Sequence, residues 1–454
     1  MFKRIFSSQL RINMASGTIT TVINAVTLVV AFPIYLHFLG YDRYGLWLVL
    51  TTVLSFAQLG NLGISKAVMK LVAEEYGRGD VEGIQRCVTT ALSLLFLSGM
   101  IVLGIIMVFK NQIIAAFRLT GENAEMISLL LPYIGCLSIY VFMVQALNAV
   151  PSGLGRIDLA NYIQSLGRIV AVTIASILLY TGRGIESLLI GNAISYVFIH
   201  IASLICIYRI VHIRILQLKN LDIQRGKNIL RFGGAVIGGS LMNMMLSPFN
   251  KLMLSRYAGV SSIPIYEIAF RGSMEVRSLV EAGFRALMPE ISRIGAKMTS
   301  EAKERIVAIN KQSFKLILFA GAFLFALVFI FAGVLLRVWL GDKFVEILPY
   351  TLRILLVASF ASLIGVPAYY THMGQGRVYH CFISHIILSL INVVVVIAYA
   401  VISPEMIESR IYYAILLGQC GSTAYLVWQL YLVLYTPNDY NEKRIMNVPT
   451  VEKI

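Results

Sequence analysis

Charged side chains are scarce in this chain of 454 residues: Asp, Glu, Lys and Arg together make up 13%, about half of the roughly 25% found in soluble domains. A string of soluble domains is thereby excluded. Cysteine is scarce too. Cys87, Cys136, Cys206, Cys381 and Cys420 are scattered through apolar stretches with no CxxC pair, which argues against thiolate metal sites and a disulfide framework and leaves buried thiols. No GxxxxGK[ST] occurs, so the chain lacks the phosphate cradle of the P-loop ATPases. His200, His380 and His385 fall in or near apolar runs without acidic partners at ligand spacing, and there is no HExxH. The longest stretch between apolar runs is about 27 residues, too short for a catalytic or nucleotide-binding domain. The sequence offers no place for an enzyme's active site, a metal or a cofactor.

Apolar sequence is what the chain has in abundance. Hydrophobic residues account for 58%, and the mean hydropathy is +0.79. At about 20 residues per crossing, the pattern predicts twelve transmembrane helices: 12–38, 44–65, 87–109, 126–149, 159–180, 185–208, 232–257, 263–285, 313–338, 347–370, 379–402 and 411–435. The basic start (Lys3, Arg4, Arg11) runs into an apolar stretch too long for a signal-peptide core and without an evident cleavage site, so the first helix is expected to be retained. A net charge of +15 would point to nucleic acid in a soluble protein, but here the charges lie in short loops and topology accounts for them without such a partner. An even number of crossings puts both termini on one side. Loops on that side hold about 25 of the 38 Lys and Arg and the opposite loops about 8, which makes it the cytoplasmic side. The two largest basic clusters, 209–231 and 285–315, lie there. Glu301, Lys303, Glu304 and Arg305 in the second predict a short amphipathic helix at headgroup level.

The chain also repeats. An offset of about 220 residues aligns Arg11 with Arg231, Asn24 with Asn243, Gly40 with Gly259, and the turn Gly153-Leu154-Gly155-Arg156 with Gly374-Gln375-Gly376-Arg377. Equivalent positions are separated by six helices, so the halves have the same orientation and are related by an axis along the membrane normal. The expected architecture is an all-α membrane protein whose twelve helices form two parallel six-helix lobes around a central cavity. Residues 1–210 make the first lobe, 211–231 a basic cytoplasmic linker, 232–435 the second lobe and 436–454 a cytoplasmic tail.

An ionisable group near the bilayer centre costs about 2.5–3.5 kcal/mol on insertion scales, so polar residues inside the spans are the candidates for function. In the eighth span Glu267, Arg271, Glu275, Ser278, Glu281 and Arg285 fall within an arc of roughly 120 degrees, which predicts one wet face. The same spacing permits self-neutralising i,i+4 pairs, among them Glu267 with Arg271, Arg271 with Glu275 and Arg277 with Glu281. In the first span Asn13, Ser16, Thr20, Asn24 and Thr27 recur every three or four residues, a period that suits helix packing or ligand contact. The seventh span carries Asn243, Asn250 and Lys251 around Pro248, as the first carries Pro33, and both are expected to bend. Arg168 lies about 14 Å into the fifth span, too deep for easy snorkelling, and is assigned to a cavity. Lys251 is near enough to the outer end of its helix for either role, and Arg353 is interfacial. The cavity candidates are Arg168, Lys251, Arg271, Arg277, Asn24, Asn243 and Asn250, with Glu267, Glu275 and Glu281 as candidates for proton coupling. Four cations against Glu267 and Glu275 favour an anionic ligand.

The segment Leu39-Gly40 through Tyr44-Gly45-Leu46-Trp47, then Gly63-Ile64-Ser65-Lys66-Ala67 and Ala73-Glu74-Glu75-Tyr76-Gly77-Arg78-Gly79-Asp80, resembles the start of bacterial polysaccharide flippases. Pro289-Glu290-Ile291-Ser292-Arg293, Trp339-Leu340-Gly341-Asp342-Lys343-Phe344 and the turns Gly155-Arg156 and Gly376-Arg377 are similar to that family's later stretches. Taken over the whole chain, the sequence resembles the lipid-linked O-antigen flippases of the multidrug/oligosaccharidyl-lipid/polysaccharide exporter superfamily. The resemblance implies a V-shaped cavity with cationic groups and alternating access. It further implies transfer of an undecaprenyl-diphosphate oligosaccharide, the O-antigen repeat unit of lipopolysaccharide biosynthesis, across the bacterial inner membrane, with O-antigen polymerase and a chain-length regulator as partners besides membrane lipids. The position before Lys251, often acidic in relatives, is Asn250 here, so cation coupling through it is not implied. Lipid II flippases of the superfamily usually carry more helices than the twelve expected here, which favours the O-antigen type. The main alternative is a cation-coupled multidrug or small-molecule antiporter of the same architecture. A membrane-embedded glycosyltransferase or polymerase would need larger outer loops.

The charge asymmetry generates a direct expectation. Reporter fusions at Asn441 should report the cytoplasm and fusions near Asp342 the periplasm; cytoplasmic activity at Asp342 would refute the topology.

Overall fold

The computed structural model describes residues 8–212, 221–284, 287–295 and 300–435, and among them all regular structure is helical. In chain order the helices are α1 (Ser8–Ala57), α2 (Ile64–Arg78), α3 (Val81–Val108), α4 (Lys110–Ala116), α5 (Gly121–Gly153), α6 (Ile157–Tyr180), α7 (Glu186–Val211) and α8 (Ile223–Ala258). They continue as α9 (Ser262–Ala282), α10 (Leu287–Gly295), α11 (Ser300–Leu316), α12 (Ala322–Leu340), α13 (Ile347–Ile364), α14 (Val366–Gly374), α15 (Val378–Ile402) and α16 (Ile407–Tyr435). Among the described residues, eight segments are long and apolar enough to cross a membrane. The first of these, Ala15–Asn61, turns back at Gly40 and so makes two passes. With α8, α9 and α16, which polar residues keep less apolar, the described residues make the twelve passes expected.

Several passes are broken helices, which periodicity did not reveal. The second pass leaves α1 at Ala57, makes a tight turn Gln58–Asn61 and resumes as α2. The Asn61 side chain holds the break: its Oδ1 accepts from the Ser65 N–H, and its amide donates to Ser65 and to Gln145 of α5. The tenth pass breaks at Gly365 between α13 and α14, and the ninth runs from α11 through a π-helical turn, Ile317–Gly321, into α12. The amphipathic helix expected around Glu301–Arg305 is α11. It buries Ala302, Ile306, Asn310 and Ser313 at spacings of three and four and leaves Glu301, Glu304 and Arg305 exposed.

The duplication is visible in the backbone. Gly40, between the first two passes, has φ 66 and ψ −178; Gly259, between α8 and α9, has φ 91 and ψ 165. Both fall in the region of backbone space that is essentially reserved for glycine. The turns before α6 and α15 also match, with φ 80 at Gly155 and 74 at Gly376.

The chain forms two compact units, residues 1–268 with 339–344, and residues 269–338 with 345–454. In the first, Val68, Val72, Ile84, Cys87, Leu95, Phe142 and Ile229 meet in a core between α2, α3, α5 and the start of α8. The segment 339–344 also belongs to it. Trp339 Nε1 donates to Val29 O at 2.8 Å and its ring meets Phe32 edge-on, while Tyr41 Oη donates to Lys343 O at 2.9 Å. Two of the stretches that carry the family resemblance, Leu39–Trp47 and Trp339–Phe344, thus lie together. In the second unit Ile291, Ile294, Ile306, Ala368, Leu426 and Leu430 join α10, α11, α14 and α16.

Replacing Gly40 or Gly259 by Ala forces a Cβ into this backbone region and should cost about 1–3 kcal/mol each. Gly77→Ala, inside α2 with open space around it, should be neutral or stabilising. Thermal unfolding of the purified protein in detergent reads both; a Gly259→Ala variant as stable as Gly77→Ala would contradict the assignment.

Candidate functional site

The turn at Gly259 folds α8 back along α9, and Lys251 and Glu267 each lie eight residues from it. They meet across the hairpin, Nζ to Oε2 at 2.8 Å, with the residues only 7% and 3% exposed. Two charges are thus removed from solvent, a geometry that costs several kcal/mol of desolvation per ion and that their mutual attraction offsets. One turn further along α8, Ser255 Oγ donates to Phe117 O at 2.9 Å, and Arg256 reaches the carbonyls of Ala115 and Ala116. These contacts tie this end of α8 to the turn between α4 and α5. Asn250, beside Lys251, is fully buried, and neither its Nδ2 nor its Oδ1 has a hydrogen-bond partner.

Further along α9, in the second unit, Arg277 and Glu281 form the i,i+4 pair that their spacing predicts, at 3.1 Å. Tyr370 of α14 adds a hydroxyl donor to Glu281 at 3.2 Å. Glu275 accepts from Ser278 Oγ at 3.3 Å, and Arg271 is exposed. Arg271 is thus exposed, Glu275, Arg277, Ser278 and Glu281 are half-buried, and Glu267 turns inward to Lys251. The side-chain period could not show this, because the partner lies on another helix. Arg168 is exposed on α6, Asn243 is exposed on α8, and Asn24 is half-buried with an unpartnered Oδ1. Arg353 Nε donates to Phe329 O at 3.1 Å. Arg285 lies outside the described residues.

The polar stripe of the first span is a packing ladder. Asn13 Nδ2 donates to Gly155 O, Asn161 Nδ2 to Ser16 Oγ and Ser165 Oγ to Thr20 Oγ1, at 3.0, 3.0 and 3.1 Å. Each rung joins α1 to α6 or to the turn before it. Thr27 bonds its own backbone at Ile23 O.

Sequence reading missed one cluster at the start of α8. Glu75, at the end of α2 and 7% exposed, takes Arg225 Nη1 at 2.6 Å. Asp222 caps α8 by accepting the Arg225 N–H at 3.0 Å, and its own N–H donates to Thr90 of α3. The Arg225 N–H, donating to the Asp222 carboxylate, holds that carboxyl below its usual range. The only signal was the position of Glu75 within the stretch Ala73–Asp80. Among the described residues no group of acids, histidines and cysteines is arranged to hold a metal.

With this geometry established, comparison with known proteins places the chain. Residues 10–295 match the family described as "Polysaccharide biosynthesis protein", and the chain belongs to that family. No curated protein sequence matches it. Among solved structures, an inward-facing multidrug resistance MATE family transporter of the MOP superfamily is 16% identical, with a TM-score of 0.71 over 90% of this chain and 93% of the other. The lipid II flippase MurJ in an inward closed conformation is 16% identical, with a TM-score of 0.67 over 91% and 87%. A MOP superfamily transporter from Pyrococcus furiosus is 16% identical, with a TM-score of 0.57 over 94% and 96%. The fold is that of the multidrug/oligosaccharidyl-lipid/polysaccharide exporter superfamily.

Removing one member of the buried pair should cost far more than removing both. Lys251→Met removes the buried cation that faces Glu267 across the hairpin and should destabilise by about 3–5 kcal/mol. Adding Glu267→Gln should recover most of that loss. A double-mutant cycle on thermal stability in detergent measures the coupling, and additive losses would show that the pair is not coupled.

Proposed function

We propose that this protein is a flippase that carries an undecaprenyl-diphosphate-linked oligosaccharide, an O-antigen repeat unit, across the bacterial cytoplasmic membrane by alternating access, with both termini in the cytoplasm. The observation that carries this reading is membership of the polysaccharide biosynthesis family in a chain with the exporter fold. A chain that crosses the membrane twelve times and offers no loop for catalysis serves polysaccharide biosynthesis by moving its lipid-linked intermediates. The two repeats, with a boundary near the basic linker 211–231, are the halves that exchange access; of the cavity candidates Arg168, Arg271 and Asn243 are exposed in this structure, Asn24 and Arg277 are half-buried, and Lys251 and Asn250 are buried.

The charge pattern supports an anionic cargo. Lys251 is neutralised by Glu267 and Arg277 by Glu281, while the exposed cations of this set are Arg168 and Arg271. Arginine presents a planar fork of donors that matches phosphate oxygens. A diphosphate drawn to Arg271 would also compete with Glu275 for its field, leaving that carboxylate ready to take a proton. Glu281 and Glu267 have their own cations to release in the same way, which makes the three carboxylates the candidates for coupling to a proton gradient. O-antigen polymerase and the chain-length regulator are the partners that would consume the product.

In cells lacking their own O-unit flippase, the parent chain should restore surface polysaccharide. Arg271→Ala should abolish this, and Arg271→Lys should reduce it about tenfold, because the charge stays while the fork is lost. Protection against cationic drugs in place of polysaccharide export would establish the antiporter instead.

A further inference from the structure

The duplicated turns Gly153–Arg156 and Gly374–Arg377 share one backbone. In the first, Gly155 N donates to Ser152 O at 3.1 Å and Arg156 N to Pro151 O at 2.9 Å; in the second, Gly376 N donates to Met373 O at 3.1 Å and Arg377 N to His372 O at 2.8 Å. Gly153 and Gly374 also pack alike, each leaving no room for a Cβ against the backbone of a neighbouring helix, at Met69 O and Met288 O. Each arginine opens the following helix. The two copies therefore place their arginines at the same backbone position.

Their partners differ. Arg156 grips Asp158 with two donors, Nε to Oδ1 at 3.1 Å and Nη2 to Oδ2 at 3.0 Å, and this pairing raises the guanidinium above its ordinary pKa. At the position of Asp158 the second copy has Tyr379, and the first turn of α15 holds no acid. Arg377 is half-buried, and among the described residues no carboxylate lies within ion-pair distance of it. Burial pulls its pKa below the ordinary value, the opposite of Arg156. On the same turn, His372 is fully buried with no partner at Nδ1, and Gln375 has a buried Oε1 without a partner. Just beyond, Val378 and Phe382 lie one helical turn apart on α15 and are 52% and 37% exposed.

We propose that the Gly374–Arg377 turn binds a lipid phosphate, with the headgroup on Arg377 and the hydrocarbon chain along Val378 and Phe382. The phosphate takes the place that Asp158 fills in the first copy. The apolar stripe selects an amphiphile over a free anion. An anionic phospholipid and a polyprenyl diphosphate both offer this chemistry. On the topology of the proposed function the site faces the cytoplasmic leaflet, where a lipid-linked diphosphate would wait before translocation.

Native mass spectrometry of the full-length protein, with phosphatidylglycerol, undecaprenyl diphosphate and inorganic pyrophosphate each titrated in turn, tests the site without requiring transport. Arg377→Gln should weaken lipid binding about tenfold. Tyr379→Asp installs the internal carboxylate of the first copy; it should weaken binding equally while keeping the parent's thermal stability. Arg353→Gln, which removes a cation elsewhere, should bind as the parent does. Loss confined to phosphatidylglycerol would identify a phospholipid occupant, and loss for undecaprenyl diphosphate the carrier lipid; either supports the site. Parent-like binding of both lipids by Tyr379→Asp, or pyrophosphate binding as tightly as they do, would overturn it. A chain that binds lipid here yet restores no surface polysaccharide would defeat the flippase reading and leave this site standing.

Discussion

A hydrocarbon slab supplies no water, so a backbone that crosses it must satisfy every amide within its own helix, and any charge taken inside must bring its counter-charge. The rest of the structure follows from that constraint. Turns occur where glycine can adopt backbone angles closed to other residues, at Gly40 and Gly259. Breaks within a pass are closed locally, as Asn61 does with Ser65 and Gln145. Polar residues of α1 that face α6 find partners there and form the α1–α6 ladder.

The same constraint sorts the charges into two kinds. Lys251 with Glu267 and Arg225 with Glu75 are tight pairs that fix helix ends and hairpins. Such pairs add little net stability compared with apolar packing, but losing one partner is expensive. Arg168 and Arg271 are instead exposed on their helices. The tight pairs keep the helices in register, and under the proposed function the exposed cations are the candidates for contact with the cargo.

Much of the fold was legible in the sequence. Twelve apolar runs, the repeat at about 220 residues and the glycines that mark it correspond to observed helices and to matching turns. Packing by Asn13, Ser16 and Thr20 and the Arg277–Glu281 pair were legible as well, because three- and four-residue spacings report directly on helix faces. The Lys251–Glu267 and Glu75–Arg225 pairs were not. Their partners are 16 and 150 residues apart on different helices, and no periodicity within one helix encodes that distance. The breaks at Gln58–Asn61 and Gly365 were hidden for a related reason: apolar composition continues across them, and only side-chain bonds to neighbouring helices show where the helix stops.

The claim at the centre of this account is movement of a lipid-linked diphosphate between leaflets. Its most direct test uses the purified protein reconstituted into vesicles that carry an undecaprenyl-diphosphate oligosaccharide, with a membrane-impermeant glycosidase outside to report how much of the sugar is accessible. With the parent protein present, the protected fraction should become accessible over time. If it stays protected at the level of protein-free vesicles, under an imposed pH gradient of either sign, the chain is not a flippase for this class of lipid.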